Sequence, residues 1–256
     1  MTAPIPRDIP DLPALPRTAP QLLPSVVPAR AVVPPVRRPL TAVYRLALAL
    51  LATAAVLTEI LLGSPTRVLS YFVIQSTALL ALVTFASARR AWTARHPLPG
   101  AVTGAALLYV VVAALVHHIA LTDASPAYAM TAGASGDAAW LEPVAGHLLH
   151  TVLPVAALLD WLVLTPPARM HLRQATTWLL YPLAYLAFTL TRGELLPGSA
   201  ARYLYPFLDV ARHGYRSVLA NALLVGLAIY AVAVLLVALD HPPENQISSL
   251  ATSGLK

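Results

Sequence analysis

Long apolar stretches separated by short polar segments run through most of the chain from residue 41 onwards. A helix that crosses a membrane needs about 20 mostly apolar residues, because a rise of about 1.5 Å per residue must span a hydrocarbon core of about 30 Å. The stretches lack the alternation of apolar and polar residues that is typical of membrane β-barrels. The pattern therefore predicts an all-α, polytopic membrane protein, a bundle of six transmembrane helices at Thr41–Leu62, Arg67–Ala88, Pro99–Leu121, Ala145–Thr165, Leu172–Thr191 and Ser217–Leu239.

Proline dominates the chain before the first apolar stretch. The first 40 residues hold 11 of the 24 prolines, and proline interrupts both helices and strands. Residues 1–40 are therefore predicted to form a disordered, partly polyproline-II tail on the cytoplasmic side. A cleaved signal peptide is the poorer interpretation, because it needs an unbroken apolar core. Residues 241–256 are predicted to be a flexible C-terminal tail, which leaves 41–240 as the membrane domain.

Composition agrees with a membrane protein and excludes several other classes. The chain is 58% hydrophobic and 11% charged, with a mean hydropathy of +0.69, whereas a soluble domain is about 25% charged. The formal charge of +6 lies in short arginine clusters at the ends of apolar stretches, so we expect no nucleic-acid partner. The absence of cysteine from the sequence excludes disulfides, thiolate metal sites and cysteine nucleophiles.

The distribution of arginine predicts the orientation in the membrane, because short cytoplasmic loops retain basic residues. The third loop, from Thr122 to Glu142, has acidic but no basic residues and is predicted to be external. The fifth loop opposes this trend with arginines on the side predicted to be external. On balance the protein is predicted to lie in the inner (plasma) membrane with both termini in the cytoplasm, since the tail, second loop and fourth loop carry Arg7, Arg17, Arg30, Arg37, Arg38, Arg89, Arg90, Arg95, Arg169 and Arg173.

Ionisable side chains are rare within the apolar stretches. Each costs at least about 2.5 to 3.5 kcal/mol near the bilayer centre, so we expect these groups to face the bundle interior. Glu59 is expected near the external interface, in contact with water. Residues 75–77 are expected to form hydrogen bonds between helices. Asp160 is expected to pair with Arg169, with Arg173 or with an arginine of the second loop.

Four histidines are predicted at the external ends of the third and fourth helices. His147 and His150 are three residues apart and therefore share a helical face. With His117 and His118 they could bind zinc or haem iron, but zinc sites need three or four ligands and no acidic helix motif accompanies them. One imidazole could instead act as a general base toward a hydroxyl, and a structural hydrogen bond is the third alternative. We predict no cofactor, and we expect Pro154 to kink this helix.

Three short motifs resemble those of a known family. His147–Pro154, followed by Asp160 and Trp161, resembles the fourth-helix signature of the bacterial Pr6Pr membrane proteins, and Tyr71–Ser76 and Tyr205–Asp209 strengthen the match. Together with the six apolar stretches, the resemblance spans residues 41–240. Pr6Pr proteins are in turn distantly similar to the eukaryotic androgen-induced, FAR-17a-type proteins.

The resemblance implies an intramembrane hydrolase of fatty acid esters of hydroxy fatty acids, with a threonine nucleophile in the second helix and a histidine in the fourth. His150 matches that histidine. Val73 stands at the place of the threonine, and valine has no oxygen with which to form an acyl intermediate. Ser70 or Thr77, three and four residues from Val73 on the expected helical face, would have to replace it.

Two functions therefore stay open. The first is a lipid-ester hydrolase in which His150 activates Ser70 or Thr77 while an acyl chain lies between helices. The second is a non-catalytic binding or carrier protein that keeps the same scaffold. The expected partners are the lipid bilayer and a long-chain acyl ester or another amphiphile.

Overall fold

The computed structural model describes residues 36–121, 128–131, 140–167, 170–197 and 202–240. Both predicted tails, apart from residues 36–40, lie outside this range, as do Asp123, Asp137 and Arg169. Every regular element among the described residues is helical, which confirms the all-α class. The helices are α1 (Pro39–Leu62), α2 (Pro65–Val68), α3 (Phe72–Trp92), α4 (Gly100–Leu121), α5 (Leu141–Leu164), α6 (Leu172–Trp178), α7 (Leu180–Leu195) and α8 (Val210–Leu239).

Five of these helices, α1, α3, α4, α5 and α8, are long and apolar enough to cross a membrane. Two of the five contain π-helical turns. A π-helical turn, His117–Leu121, ends α4, and α5 contains two such turns, Leu148–Val152 and Asp160–Leu164. A π turn holds more residues per turn than an α turn, and such turns are common at functional sites.

Helix starts differ from the predicted bounds for local reasons. Helix α1 begins at Pro39, two residues early, because proline lacks an N–H that the first helical turn does not need. Helix α3 begins at Phe72 rather than Arg67, because the preceding residues form the separate helix α2. Helix α8 begins at Val210, but Gly214 interrupts it with φ +71° and ψ 159°. That φ favours glycine, so the uninterrupted part of α8 begins close to the predicted start.

The fifth predicted stretch, Leu172–Thr191, is two helices rather than one. Helix α6 ends at Trp178 and α7 begins at Leu180. Pro182 explains the break, because in a continuous α-helix its missing N–H would have bonded to the carbonyl of Trp178. The Tyr109 hydroxyl of α4 donates to that carbonyl instead, at 2.9 Å. A side chain of α4 thus satisfies the group that the proline leaves open.

The end of α6 packs closely on α4. The Trp178 indole N–H donates to the carbonyl of Ala101 at 2.9 Å, and the Trp178 side chain is buried. A Cβ atom at Gly104 would lie 2.7 Å from Cη2 of this indole. Only glycine therefore lets the two helices approach this closely. Small residues are common at such contacts between membrane helices.

A buried ion pair joins α1 to α5. The Arg45 Nε atom lies 2.8 Å from Oδ1 of Asp160, and Nη2 donates to the Thr165 hydroxyl at 2.8 Å. Asp160 was expected to pair with an arginine of the second or fourth loop, but its ion pair among the described residues is with Arg45. Arg45 lies one turn inside the first apolar stretch of the sequence. Its ion pair with Asp160 allows both charged side chains to be buried between α1 and α5.

Two further contacts place several helix ends at the end of the bundle that contains this ion pair. The Arg38 N–H, just before α1, donates to the carbonyl of Ala91 in the last turn of α3 at 3.1 Å. The Met170 N–H, just before α6, donates to Asp240 at the end of α8 at 2.8 Å. The start of α1 and the ends of α3, α5 and α8 therefore lie at one end of the bundle.

Candidate functional site

A cavity of about 850 Å³ lies inside the bundle and is lined by residues of α1, α3, α4, α5, α7 and α8. Small-molecule sites in proteins typically measure about 300 to 1,000 Å³ and are mostly apolar with a few polar groups. This cavity fits that description, since leucine, valine, alanine and aromatic side chains make up most of its wall. Its size and lining make it the strongest candidate for a ligand site.

A small set of polar side chains lines one part of the cavity, and we call this set the polar wall. The Thr131 hydroxyl donates to the Glu142 carboxylate in a short hydrogen bond. Glu59 lies on α1, which packs against the first part of α5, where Glu142 lies, and both residues line the cavity. The polar wall consists of Glu59, His117, Thr131, Glu142 and His150.

Helix α5 positions three of the lining residues. Glu142, Gly146 and His150 are four residues apart and all line the cavity, as residues one helical turn apart share a face. His150 lies within the π turn Leu148–Val152. Pro154 follows directly and removes the N–H that would have bonded to the carbonyl of His150. The His118 imidazole donates to that carbonyl instead, at 3.1 Å.

His150 is the predicted site residue that the structure places at the cavity. Its side chain is buried, with the residue 7% exposed. Its ring stacks on His117, with ring centroids 3.7 Å apart and planes inclined by 9°. Its Nδ1 atom has no hydrogen-bond partner among the described residues. An imidazole placed in this way is available to a ligand or substrate.

The other two predicted site residues, Ser70 and Thr77, do not belong to the described cavity lining. The Ser70 hydroxyl donates to the carbonyl of Thr66 at 2.7 Å. Thr77 is fully buried, and its hydroxyl has no hydrogen-bond partner in the part of the chain that the structure describes. No hydrogen bond recorded among those residues joins His150 to either hydroxyl. Val73, at the position where the resemblance expects the nucleophile, does line the cavity.

Metal binding by the histidines has no support in the geometry. Within the described ranges no group of three or more His, Cys, Asp or Glu side chains is arranged to hold a metal ion. His118 bonds to the backbone of α5, and His147 is not one of the described lining residues. Only His117 and His150 of the four histidines therefore face the cavity.

The motifs around Tyr71 and Tyr205 meet beside the cavity although they are far apart in sequence. Their rings make an edge-on contact with centroids 5.7 Å apart. The backbone N–H of Phe72, at the start of α3, donates to the Tyr205 hydroxyl oxygen at 3.2 Å. Burial raises the pKa of the Tyr205 phenol well above its usual range, so this hydroxyl stays protonated at neutral pH. Both tyrosines line the cavity.

The cavity is not sealed along α7 and α8. Several leucines line it and are also exposed: Leu183 at 59%, Leu219 at 53%, Leu223 at 65% and Leu227 at 57%. A Cβ atom built at Gly226, another lining residue of α8, would meet no atom within 4 Å. The wall of the cavity is therefore partly exposed along these two apolar helices.

Sequence reasoning missed three residues of the polar wall, Glu59, Thr131 and Glu142. Glu59, expected in interfacial water, is instead 2% exposed and faces the cavity. Glu142, assigned to the third loop, lies in the first turn of α5. The four-residue spacing of Glu142, Gly146 and His150 was the signal that could have identified Glu142. No family model, curated protein or solved structure matches this chain.

Proposed function

We propose that the protein binds a single-chain amphiphile within the membrane. The headgroup lies at the polar wall, and the chain lies along the apolar part of the cavity toward α7 and α8. The observation that carries this proposal is the 850 Å³ cavity, which combines an apolar lining with a few buried polar groups. Polar side chains at membrane depth are costly and mark functional positions, and here they face the cavity.

The proposal includes a location in the inner membrane with both termini in the cytoplasm. The arginine clusters of the tail and of the second and fourth loops support this orientation. The contacts of Arg38 and Asp240 support it as well, because together with the Arg45–Asp160 ion pair they bring the start of α1 and the end of α8 to one end of the bundle. The polar wall then lies toward the external side, and the ligand enters from the membrane between α7 and α8.

Filling the cavity at Gly226 tests the proposal. We expect Gly226→Trp to reduce the amount of bound amphiphile at least about tenfold, a loss of about 1.4 kcal/mol in binding free energy. The reason is that Gly226 lines the cavity and a Cβ atom there would meet no atom within 4 Å, so an added indole can take up space that the ligand would need. The measurement is native mass spectrometry of detergent-solubilised protein, with lipid extraction to quantify the bound molecule.

Leu224→Trp is the matched control. Leu224 lies on the same helix, is 66% exposed and is not one of the described lining residues. We expect this variant to retain wild-type occupancy. Equal occupancy in the wild type and both variants would contradict the proposal, as would the complete absence of bound amphiphile from wild-type protein extracted in a mild detergent.

A second candidate function is hydrolysis of a long-chain ester in the same cavity. The observation that favours it is His150, a buried lining residue whose Nδ1 has no partner in the described part of the chain. The resemblance to Pr6Pr proteins and androgen-induced hydrolases supports the same candidate. Neither hydroxyl belongs to the described lining, so Ser70 or Thr77 would first have to turn toward His150. The imidazole would then take the proton of that hydroxyl while its oxygen attacks the ester carbonyl. The proton would then pass to the departing alcohol, and water would release the acid.

Ester turnover separates the two candidates. If the protein is a hydrolase, we expect His150→Ala to lower hydrolysis of a long-chain ester reporter at least about 100-fold, the usual contribution of a general base. His147→Ala is the control, since this histidine is not one of the described lining residues. We also expect labelling by a fluorophosphonate probe that is lost in Ser70→Ala or Thr77→Val. Bound amphiphile without any turnover would leave binding as the function.

A further inference from the structure

We infer that the amphiphile bound in the cavity carries an ammonium headgroup, which lies against Glu59 and Glu142. This inference rests on the proposed binding function and names its ligand class. It follows from three features of the polar wall: a buried carboxyl oxygen without a partner among the described residues, a second carboxyl group in the same lining, and the lack of an arginine or lysine in the described lining.

Glu59 provides the first feature. The residue is 2% exposed, lies near the end of α1 and lines the cavity. Its Oε2 atom is buried and has no hydrogen-bond partner among the described residues. A buried polar atom without a partner is costly, so most such atoms in native proteins are satisfied by protein groups, water or a ligand. A donor group on the ligand would satisfy this oxygen.

Glu142 provides the second feature. It lines the same cavity as Glu59, on the part of α5 against which α1 packs, and its Oε1 accepts the hydrogen bond from Thr131. Two neighbouring carboxyl groups repel each other when both are ionised, and a cation between them removes that repulsion. An ammonium has three N–H donors and no acceptor. It therefore matches a group of carboxylate oxygens both in charge and in hydrogen bonding.

The third feature concerns the protein's own cations. No arginine or lysine is found in the described cavity lining. Arg67, on α2, interacts with the Tyr71 side chain and is not one of those lining residues. A carboxylate or phosphate headgroup would meet like charge at this end of the cavity. We therefore expect the two carboxyl groups of the lining to favour a cationic headgroup over an anionic one, with His117 and His150 as the other titratable groups of the polar wall.

Three probes of equal chain length test the inference: dodecylamine, 1-dodecanol and dodecanoic acid. Each is added to the full-length protein in phosphatidylcholine nanodiscs, and binding is measured by isothermal titration calorimetry. We expect the amine to bind at least about tenfold more tightly than the acid. We expect Glu59→Gln to weaken amine binding at least about tenfold while changing alcohol binding by less than about twofold, because a charge-assisted hydrogen bond is stronger than a neutral one.

Two control variants distinguish an effect on headgroup recognition from an effect on the cavity as a whole. Glu194→Gln removes a carboxylate that bonds to Tyr215 and is not in the described lining, so amine binding should be unchanged. The inference fails if the acid binds as tightly as the amine, or if Glu59→Gln has no effect. The binding function still stands in that case, provided that Gly226→Trp abolishes binding of the probes. If Gly226→Trp changes the binding of none of them, both the proposed function and this inference fail.

Discussion

Arg45→Ala is expected to lower the free energy of unfolding by about 3 to 5 kcal/mol, because removing one partner of a buried ion pair leaves the other charge uncompensated. The Arg45 and Asp160 side chains are 9% and 13% exposed. Two hydrogen bonds from Nε to the carboxylate, at 2.8 and 3.1 Å, would be lost with the pair, together with the bond to Thr165. The measurement is equilibrium unfolding in mixed micelles of a mild detergent and sodium dodecyl sulfate.

Arg212→Ala is the matched control for this prediction. Arg212 pairs with Asp209 at 3.6 Å, but its side chain is 63% exposed. Exposed pairs contribute at most about 1 kcal/mol, so this variant should unfold close to the wild type. The double variant Arg45→Met, Asp160→Leu should recover much of the loss, because apolar residues often replace a buried pair without a net cost. Equal destabilisation by Arg45→Ala and Arg212→Ala would show that Arg45 has no special role.

Gly104→Leu is expected to destabilise the protein by about 2 to 3 kcal/mol, since overpacking forces side chains or backbone to move. A Cβ atom at this position would already lie 2.7 Å from the Trp178 ring. That ring has little room to retreat, because the indole is buried and its N–H is bonded to the carbonyl of Ala101. The same unfolding measurement reports the effect.

Gly226→Leu is the control for the Gly104 prediction. It makes the same chemical change in a helix, but its Cβ would meet no atom within 4 Å. Leucine is a better helix former than glycine by about 0.5 to 1 kcal/mol, so this variant should be as stable as the wild type or slightly more stable. If the two glycine variants unfold alike, the close contact between α4 and α6 does not limit the residue at position 104.

The sequence predicted the membrane helices well wherever length and hydropathy alone decide the outcome. Five apolar stretches are continuous helices, with ends shifted by a few residues. The fifth stretch, Leu172–Thr191, is divided, and its hydropathy gave no sign of this. The division depends on Pro182 together with a hydroxyl donor on a distant helix, Tyr109. Proline is visible in the sequence, but the partner that makes a break tolerable at membrane depth is not.

The candidate site was predicted in part. His150 was identified, and the structure places it at the cavity. Ser70 was chosen because it shared a helical face with Val73, but α3 begins only at Phe72, so that argument does not apply to Ser70. Thr77 is on α3 and fully buried. The catalytic roles of His150, Ser70 and Thr77 stay a prediction.

Glu59 could not have been assigned to the site from the sequence, because its position depends on how the helices pack. Near the end of an apolar stretch, a carboxyl group can reach water or turn inward, and the sequence pattern is the same in both cases. The structure buries this residue in the lining of the cavity that Glu142, 83 positions away in the sequence, also lines. Proximity of this kind arises from the tertiary fold alone.

Two prolines, Pro154 within α5 and Pro182 near the start of α7, each leave a backbone carbonyl open that a donor on α4 satisfies. The carbonyl left open by Pro154 accepts from His118, and the one left open by Pro182 accepts from Tyr109. Each proline and its donor form a unit, because losing the donor leaves an unsatisfied carbonyl and losing the proline makes the donor redundant. Within homologous chains these two pairs should therefore be inherited or lost together, even though 36 and 73 positions separate their members.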